Sequence, residues 1–419
     1  MKPSTFAFAG TIALVLCSAL FPVPRLHDAA TFAPIADATL RLPTSYVLLA
    51  PVSNVLDTLT LMSLRQHIAV LVTILVGYCI WWWTVGRRAL RSIAPGRRVL
   101  REAARIGVGL VVLLSVYAAV AVMPRPMAAL DTPGNLLAID FHAHTHYSHD
   151  GRPDWTPEDV RQWHRDAGFG AVYITDHRSF DGAREGWANN PTIAGEGTSL
   201  LPGIEVVWRG EHVNVLDADR MYRGLLTPTL RDVDDGALAL ASLVLGTEPV
   251  LIETMPGDLA SMHAATGPRT PGVRAIEIVD GAPLGLGQTR RERQRIVHLA
   301  DSLNLALVSG SDSHGWGRAA SAWTLINVPV WRSATPDQLS KGIPNVLRQG
   351  ARESTRVVER YATDTDAGVA LPFTVPLVIW GMFRSITNDE RALWIVWSAV
   401  LYVLWRALRA RRTTSTPAA

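Results

Sequence analysis

An α/β barrel flanked by membrane-spanning helices is the fold class the sequence predicts. Between about residues 136 and 312, short β-rich runs alternate with helical ones. Histidines and carboxylates gather at the ends of those runs, and long uncharged apolar stretches lie on either side of the alternating region. The 419 residues leave room for more than one domain at about 150 residues each. A net charge of +3 makes no global case for nucleic acid, but the charge divides along the chain. Residues 124–368 carry 23 basic and 31 acidic side chains, whereas the flanks carry 17 basic and 6 acidic. With 48% hydrophobic and 18% charged residues, the latter below a typical ~25%, the composition excludes a disordered chain, a collagen-like chain and a basic DNA-binding domain. The two cysteines, Cys17 and Cys79, lie inside apolar runs and can build neither a disulfide framework nor a cysteine zinc site.

Residues 1–123 read as a membrane region of about three helices. The first is 5–21, preceded by Lys2. A cleaved signal would need an A-x-A site, which is missing, and a lipoprotein signal would need a small residue where Leu16 precedes Cys17, so a retained helix is favoured. Residues 68–85 and 106–123 are each 18 residues without a charge, long enough at 1.5 Å per residue to cross most of a ~30 Å hydrocarbon layer. Trp81, Trp82 and Trp83 point all round a helix end, which suits the headgroup interface better than core packing. Between these spans Arg87, Arg88, Arg91, Arg97, Arg98, Arg101 and Arg105 face one acid, Glu102. The positive-inside rule keeps that loop cytoplasmic and sends the acidic middle to the periplasm or cell exterior.

Residues 367–419 hold two further apolar runs, 367–383 with Pro372 and Pro376, and 392–405 with only 14 residues. If both span, the closing Arg406, Arg409, Arg411 and Arg412 lie outside; if one is re-entrant, they lie inside. Lysine is confined to Lys2 and Lys341, an arginine bias associated with GC-rich bacterial genomes, hence a bacterial inner membrane.

The middle, 124–366, opens with a buried strand at 136–144. A helix follows, with Thr156 as N-cap, Pro157 in its first turn, Glu158 and Asp159 at the positive end of its dipole, and Gly168 closing it. Further strands are expected at 171–177, 199–208, 212–218, 249–255, 274–280 and 305–312, with helices at 289–302 and 336–349. Continuous apolar strands separated by helices argue for a parallel sheet covered on both faces, as a barrel or a doubly wound fold. About seven strands with polar groups at their C-terminal ends favour the barrel. Ala362–Gly368 reads as the linker back to the membrane.

His142 and His144 alternate on the first strand and therefore share a face. Asp150 follows in a Ser-His-Asp-Gly turn, Asp176 and His177 end the next strand, and the third supplies Glu205, with His212 beyond it. The last strand ends in Gly310-Ser311-Asp312-Ser313-His314. In a barrel these ends converge on one mouth, and the mixture of imidazole nitrogen and carboxylate oxygen suits Zn²⁺, Mn²⁺ or Fe²⁺ rather than Ca²⁺. His146 and His149 read as solvated loop residues, and His164 and His298 as surface or packing residues of helices. Arg152, Arg178 and Arg209 each follow a motif closely enough to reach a phosphate, though an ordinary ion pair is an equal reading. Glu277 could orient ligands from behind.

The motifs H-A-H-T-H-Y-S-H-D-G (142–151), T-D-H (175–177), G-I-E (203–205) with His212, and G-S-D-S-H (310–314) resemble those of the PHP (polymerase and histidinol phosphatase) superfamily, on its stand-alone phosphoesterase branch. The resemblance covers roughly residues 136–355. It implies a distorted (β/α)₇ barrel with two or three divalent metals. His142, His144, Glu205 and Asp312 would bind the first; Glu205 would bridge to a second that also takes His212; Asp150, His177 and His314 would hold a third. One position departs: Met255 stands before Pro256 where the family has a histidine. Methionine is a poor ligand for a hard cation, so the second site is weak or takes Glu253 or His263 instead.

The expected function is a membrane-anchored, metal-dependent phosphoesterase with a small-molecule phosphate ester as substrate and the bilayer as partner; no nucleic-acid partner is expected. Asp312, His314 and Arg178 are the candidates for direct catalytic roles. Two other readings stand beside it. One is a hydrolase of carboxylic or carbamate esters using the same site; the other is a non-catalytic membrane sensor, which Met255 alone favours.

Overall fold

The computed structural model describes residues 3–87, 94–177, 179–208, 211–216, 250–254, 259, 262, 273–361, 369 and 371–414. The linker at 362–368 and the expected site residues Arg178, Arg209, Met255 and His263 lie outside them.

The centre is a mixed α/β unit built on a curled sheet. In chain order its strands are β1 (Leu26–Asp28), β4 (Leu136–Ala143), β5 (Ala171–Ile174), β6 (Ser199–Trp208), β7 (Glu211–Leu216), β8 (Val250–Glu253), β9 (Val273–Asp280), β10 (Ala306–Gly310), β11 (Ala322–Asn327) and β12 (Thr355–Arg360); β2 (Thr39–Arg41) and β3 (Ala129–Asp131) form a separate ribbon. The spatial order is β1-β12-β11-β4-β5-β6-β7-β8-β9-β10. Pairs β4–β5, β5–β6, β8–β9 and β9–β10 are parallel, as the alternating pattern predicts. β6–β7 and β7–β8 are antiparallel, which corrects the all-parallel expectation. Only two residues separate β6 from β7, enough for a hairpin but far short of a crossover.

The curl brings the far edge back to β4. Beyond Gly310, Asp312 N–H donates to His142 O (2.9 Å), His144 N–H donates to Ser313 O (3.0 Å), and Ala143 pairs with Ser313 in parallel. Strands β11 and β12 have no counterpart in the sequence reading, nor does β1, which joins the N-terminal region to the sheet through Leu26↔Arg360.

Both faces of the sheet are apolar, as parallel strands require. Leu137, Ile139, Phe141 and Tyr173 pack in one cluster; Val160, Trp163, Phe169, Leu200 and Trp323 pack in the other. The helix Pro157–Ala167 begins and ends as expected. Thr156 and Asp159 form a reciprocal cap, and Gly168 takes the left-handed conformation at φ 88°. The same cap chemistry starts Arg290–Leu303 and Pro336–Gly350.

Among the described residues three helices are long and apolar enough to cross a membrane: Leu64–Gly86, Pro95–Val122 and Asn388–Arg411. The last corrects the 14-residue reading, since no helix breaker follows Trp405 and the basic residues continue the helix. Ser4–Ala19 and Leu371–Ser385 are shorter apolar helices, the second with Pro376 inside it. The N-terminal helix packs on Asn388–Thr414 through Phe8 stacked on Tyr402 (4.7 Å). It meets Leu371–Ser385 through Val15 and Phe383.

Candidate metal centre

The side chains expected at one mouth do meet there. His142 leaves β4 with Nε2 2.9 Å from Glu205 Oε2 and 3.4 Å from Asp312 Oδ1. His144 Nε2 stands 3.3 Å from the same Glu205 oxygen and 3.2 Å from the same Asp312 oxygen. Two imidazoles and two carboxylates thus aim at one point, from three strands. His177 Nε2 lies 3.4 Å from Glu205 Oε2 and 3.7 Å from Asp150 Oδ2. His314 Nε2 is 3.2 Å from Asp150 Oδ2, and its ring stacks on His144 at 4.2 Å. His212, across the β6–β7 hairpin, reaches Glu205 Oε1 at 2.7 Å. Glu205 therefore touches four imidazoles.

Donor atoms of His142, His144 and Asp312 lie within 4.8 Å of one another, and the same holds for His144, Asp150 and His314, for His144, His177 and Glu205, and for His149, Asp150 and His177. His149, which the sequence reads as a solvated loop residue, is exposed but stands at the edge of this cluster. His146 turns away, with Nδ1 facing Trp155 O at 3.2 Å. His298 is exposed on its helix. Arg152 is committed locally: Nε donates to Asp154 Oδ1 (2.6 Å) and Nη1 to Gly315 O (2.6 Å).

The residues fit a divalent cation. Nε2 of His144 is buried without a hydrogen bond although carboxylate oxygens stand 3.2–3.3 Å from it, an arrangement that a cation between them would satisfy. The electrostatics agree. Burial opposes charge on His142 and His144, yet Glu205 and Asp312 outweigh it, raising His142 well above its ordinary range and His144 to about 10. The same imidazoles draw Glu205 well below the usual carboxylate range against its own burial. His177, whose burial dominates, falls instead to about 4, so a cation there would displace no proton from it, whereas at His142 and His144 it would take the place of one.

Several supporting residues carry no motif. Asp140 Oδ1 accepts from His142 N–H (3.1 Å) and Ser311 N–H (3.0 Å), and its Oδ2 meets His164 Nε2 at 2.7 Å. Glu277, expected behind the ligands, lies with Oε1 3.5 Å from His142 Nδ1, and burial raises its carboxyl to about 7. Asp280, buried beside it, is raised well above the carboxylate range by burial and by Asp312 and Glu277. Acids at 140, 277 and 280 inside otherwise largely apolar strands were the available signal. Asp312 itself has φ 45°, a left-handed conformation that turns its carboxylate back toward β4. Gly310 is obligatory at the junction, because a Cβ there would lie 1.9 Å from Glu277 Oε1 and 2.5 Å from His142 Cβ.

No protein-family model and no curated protein sequence matches the chain. Among solved structures it is similar to PsfC from Pseudomonas syringae PB-5123, at 18% identity and TM-score 0.36 over 60% of this chain and 98% of that one. It is also similar to a candidate metal-dependent phosphoesterase from Bifidobacterium adolescentis, at 16% identity and TM-score 0.31 over 51% and 97%. A third is the lesion-specific endonuclease PfuEndoQ from Pyrococcus furiosus, at 14% and 0.33 over 50% and 56%.

Proposed function

We propose that the chain is a membrane-anchored, metal-dependent phosphoesterase of the PHP type that cleaves phosphate mono- or diesters. The observation that carries this reading is the convergence of His142, His144, His177 and His212 on Glu205, with Asp312 facing the first two. In this reading His142, His144, Glu205 and Asp312 hold one divalent ion, and Asp150, His177 and His314 hold another. Glu205 and His212 form part of a further site whose last ligand depends on the region around Met255. Mn²⁺, Zn²⁺ or Fe²⁺ bound there supplies acidified water and neutralises the phosphoryl oxygens.

The chain's own groups do the rest. Asp140 and Glu277 orient His142 from behind, so little reorganisation is needed when substrate arrives. His314, one-fifth exposed, presents Nε2 beside Asp150 at the open side of the centre, where it would hold the ion next to the substrate. Asp312 stays ionised as an anchor, drawn down by His142 and His144 although burial opposes it. Arg178 adds a guanidinium for the phosphate. So many carboxylates make the empty pocket repel anions, which leaves the cations to recruit the substrate.

The three regions 1–123, 124–366 and 367–419 then serve as anchor, catalytic unit and second anchor. The arginine-rich loop between Leu64–Gly86 and Pro95–Val122 favours the cytoplasm, which leaves the metal centre on the opposite side of the membrane.

The test uses the full chain in detergent, stripped of metal and reloaded with Mn²⁺, Zn²⁺ or Fe²⁺, on p-nitrophenyl phosphate, bis-p-nitrophenyl phosphate and p-nitrophenyl acetate. Metal-restored phosphate ester cleavage, lost in a His142→Ala, Asp312→Ala variant, is the expected result. Acetate cleavage alone would establish a carbonyl hydrolase instead.

A further inference from the structure

The end of the sheet that carries the metal centre is also the end docked on the apolar helices. Leu64 N–H, at the start of Leu64–Trp81, donates to Pro283 O (2.9 Å) in the loop after β9. Gly317 N–H, in the loop after β10, donates to Ala121 O (2.8 Å) at the end of Pro95–Val122. Arg318 Nε reinforces this second joint by donating to Arg125 O (3.1 Å), and Arg125 in turn reaches Thr60 Oγ1 (2.9 Å). Gly317 sits so close to Thr60 that a Cβ would lie 2.7 Å from its methyl.

These joints fix a distance. Gly317 follows His314 by three residues, and three residues span at most about 11 Å. The headgroup layer on each side of a ~30 Å hydrocarbon core is about 5–8 Å deep. A centre tethered this closely to the ends of two spanning helices lies within reach of lipid headgroups.

The rim has the surface chemistry of such a position. Tyr147, Leu284 and Trp316 are 37%, 70% and 54% exposed, and they sit on the loops after β4, β9 and β10. Exposed aromatic and leucine side chains on loops that also hold a catalytic centre are costly in water and favourable at a bilayer surface. Beside this rim a cleft of about 550 Å³ runs between the loop after β9 and the helix Leu371–Ser385. Arg65, Arg290 and Arg384 line it together with Leu286, Leu377 and Trp380. Arg65 Nη2 donates to Val369 O (2.8 Å) and Arg384 Nε to Phe21 O (2.6 Å), so these arginines tie the cleft walls together.

We infer that the phosphate ester cleaved at the centre is carried on a membrane lipid rather than on a soluble metabolite. This rests on the phosphoesterase reading and on the membrane placement. A lipid diffusing in the bilayer brings its headgroup to the rim, where its phosphate reaches the centre while Leu284 and Trp316 stay against the bilayer surface.

The test places the metal-loaded full chain in phosphatidylcholine vesicles containing phosphatidic acid or phosphatidylglycerol. Parallel assays use glycerol phosphate and glycerophosphoglycerol, which bear the same headgroups without acyl chains, and p-nitrophenyl phosphate. Confinement to one surface raises the effective substrate concentration, so the lipid-borne esters should turn over about tenfold faster or more. A Leu284→Asn, Trp316→Ala variant should lower the ratio of lipid-borne to soluble rates. Equal or faster cleavage of the soluble esters, or failure of the protein to float with vesicles, overturns the inference while p-nitrophenyl phosphate cleavage keeps the phosphoesterase reading. No metal-dependent cleavage of any ester overturns both.

Discussion

Asp140 and His164 form a buried pair, Oδ2 to Nε2 at 2.7 Å, behind the strand that carries His142 and His144. His164 comes from the helix Pro157–Ala167 and also holds Val160 O through Nδ1 (2.8 Å). The pair fixes the Asp140 carboxylate, whose other oxygen accepts from the backbone of His142 and of Ser311. One side chain thereby sets the spacing between the two strand ends that supply His142 and Asp312.

Asp140→Asn should therefore weaken metal binding without unfolding the chain. Substitutions behind a ligand typically cost about 10–100-fold in metal affinity. Calorimetric titration with Mn²⁺ or Zn²⁺, beside a circular dichroism spectrum matching wild type, measures this. Unchanged affinity would remove Asp140 from the positioning role.

The charge state of the centre predicts how pH acts on the metal-stripped protein. Glu205 and Asp312 hold His144 at about 10, above its unfolded value near 6.5. The stabilisation is complete below pH 6.5 and is lost as pH rises through about 10. The melting temperature of chelator-treated protein should fall by about 5 °C or more between pH 6.5 and pH 10. Metal-loaded protein should be flat over that window, because cations take the place of the protons, and metal binding at pH 7 should release protons. A flat profile for the stripped protein would contradict the assigned charge.

A second buried network joins the sheet to the N-terminal region. Arg360 Nη1 at the end of β12 lies 2.7 Å from Asp57 Oδ2, Tyr46 donates to the same oxygen at 2.8 Å, and Arg125 Nε approaches Asp57 Oδ1 at 3.5 Å. Asp57→Ala would leave two buried guanidinium groups facing each other without their counter-ion. The expected loss is about 3–5 kcal/mol, against about 1–2 kcal/mol for Tyr46→Phe, which removes the hydroxyl's bond to Asp57 and the one it accepts from Arg360 Nη2 (3.1 Å) but no charge. Thermal melts of the two variants in detergent test the ranking. Equal losses would place the hydroxyl, not the charge, at the centre of the network.

Much of the curled sheet was legible because its strands are buried on both faces. The starts of β4, β5, β6, β8, β9 and β10 fall within one residue of the apolar runs at 136, 171, 199, 249, 274 and 305. The strands that escaped notice are those whose burial depends on a distant partner. β12 is two-thirds polar as a sequence, and its Arg356 and Glu359 make sense only beside Asp28 and Arg293. β1 is three residues long and exists by pairing with β12. The direction of β7 follows from the short β6–β7 connection, a signal present in the numbering but outweighed by the expectation of parallel strands.

The sequence by itself determined which histidines and carboxylates gather at strand ends and the separation of apolar ends from an acidic middle. Each depends on local periodicity or on spacing along the chain, and such information survives in one dimension. Only the tertiary structure decided that Glu205 touches four imidazoles, that Asp140 holds two strand ends together, and that the centre faces the ends of the apolar helices. Those relations join residues tens to hundreds of positions apart, and they arise from the curl of the sheet and the packing of its loops rather than from any neighbouring residue.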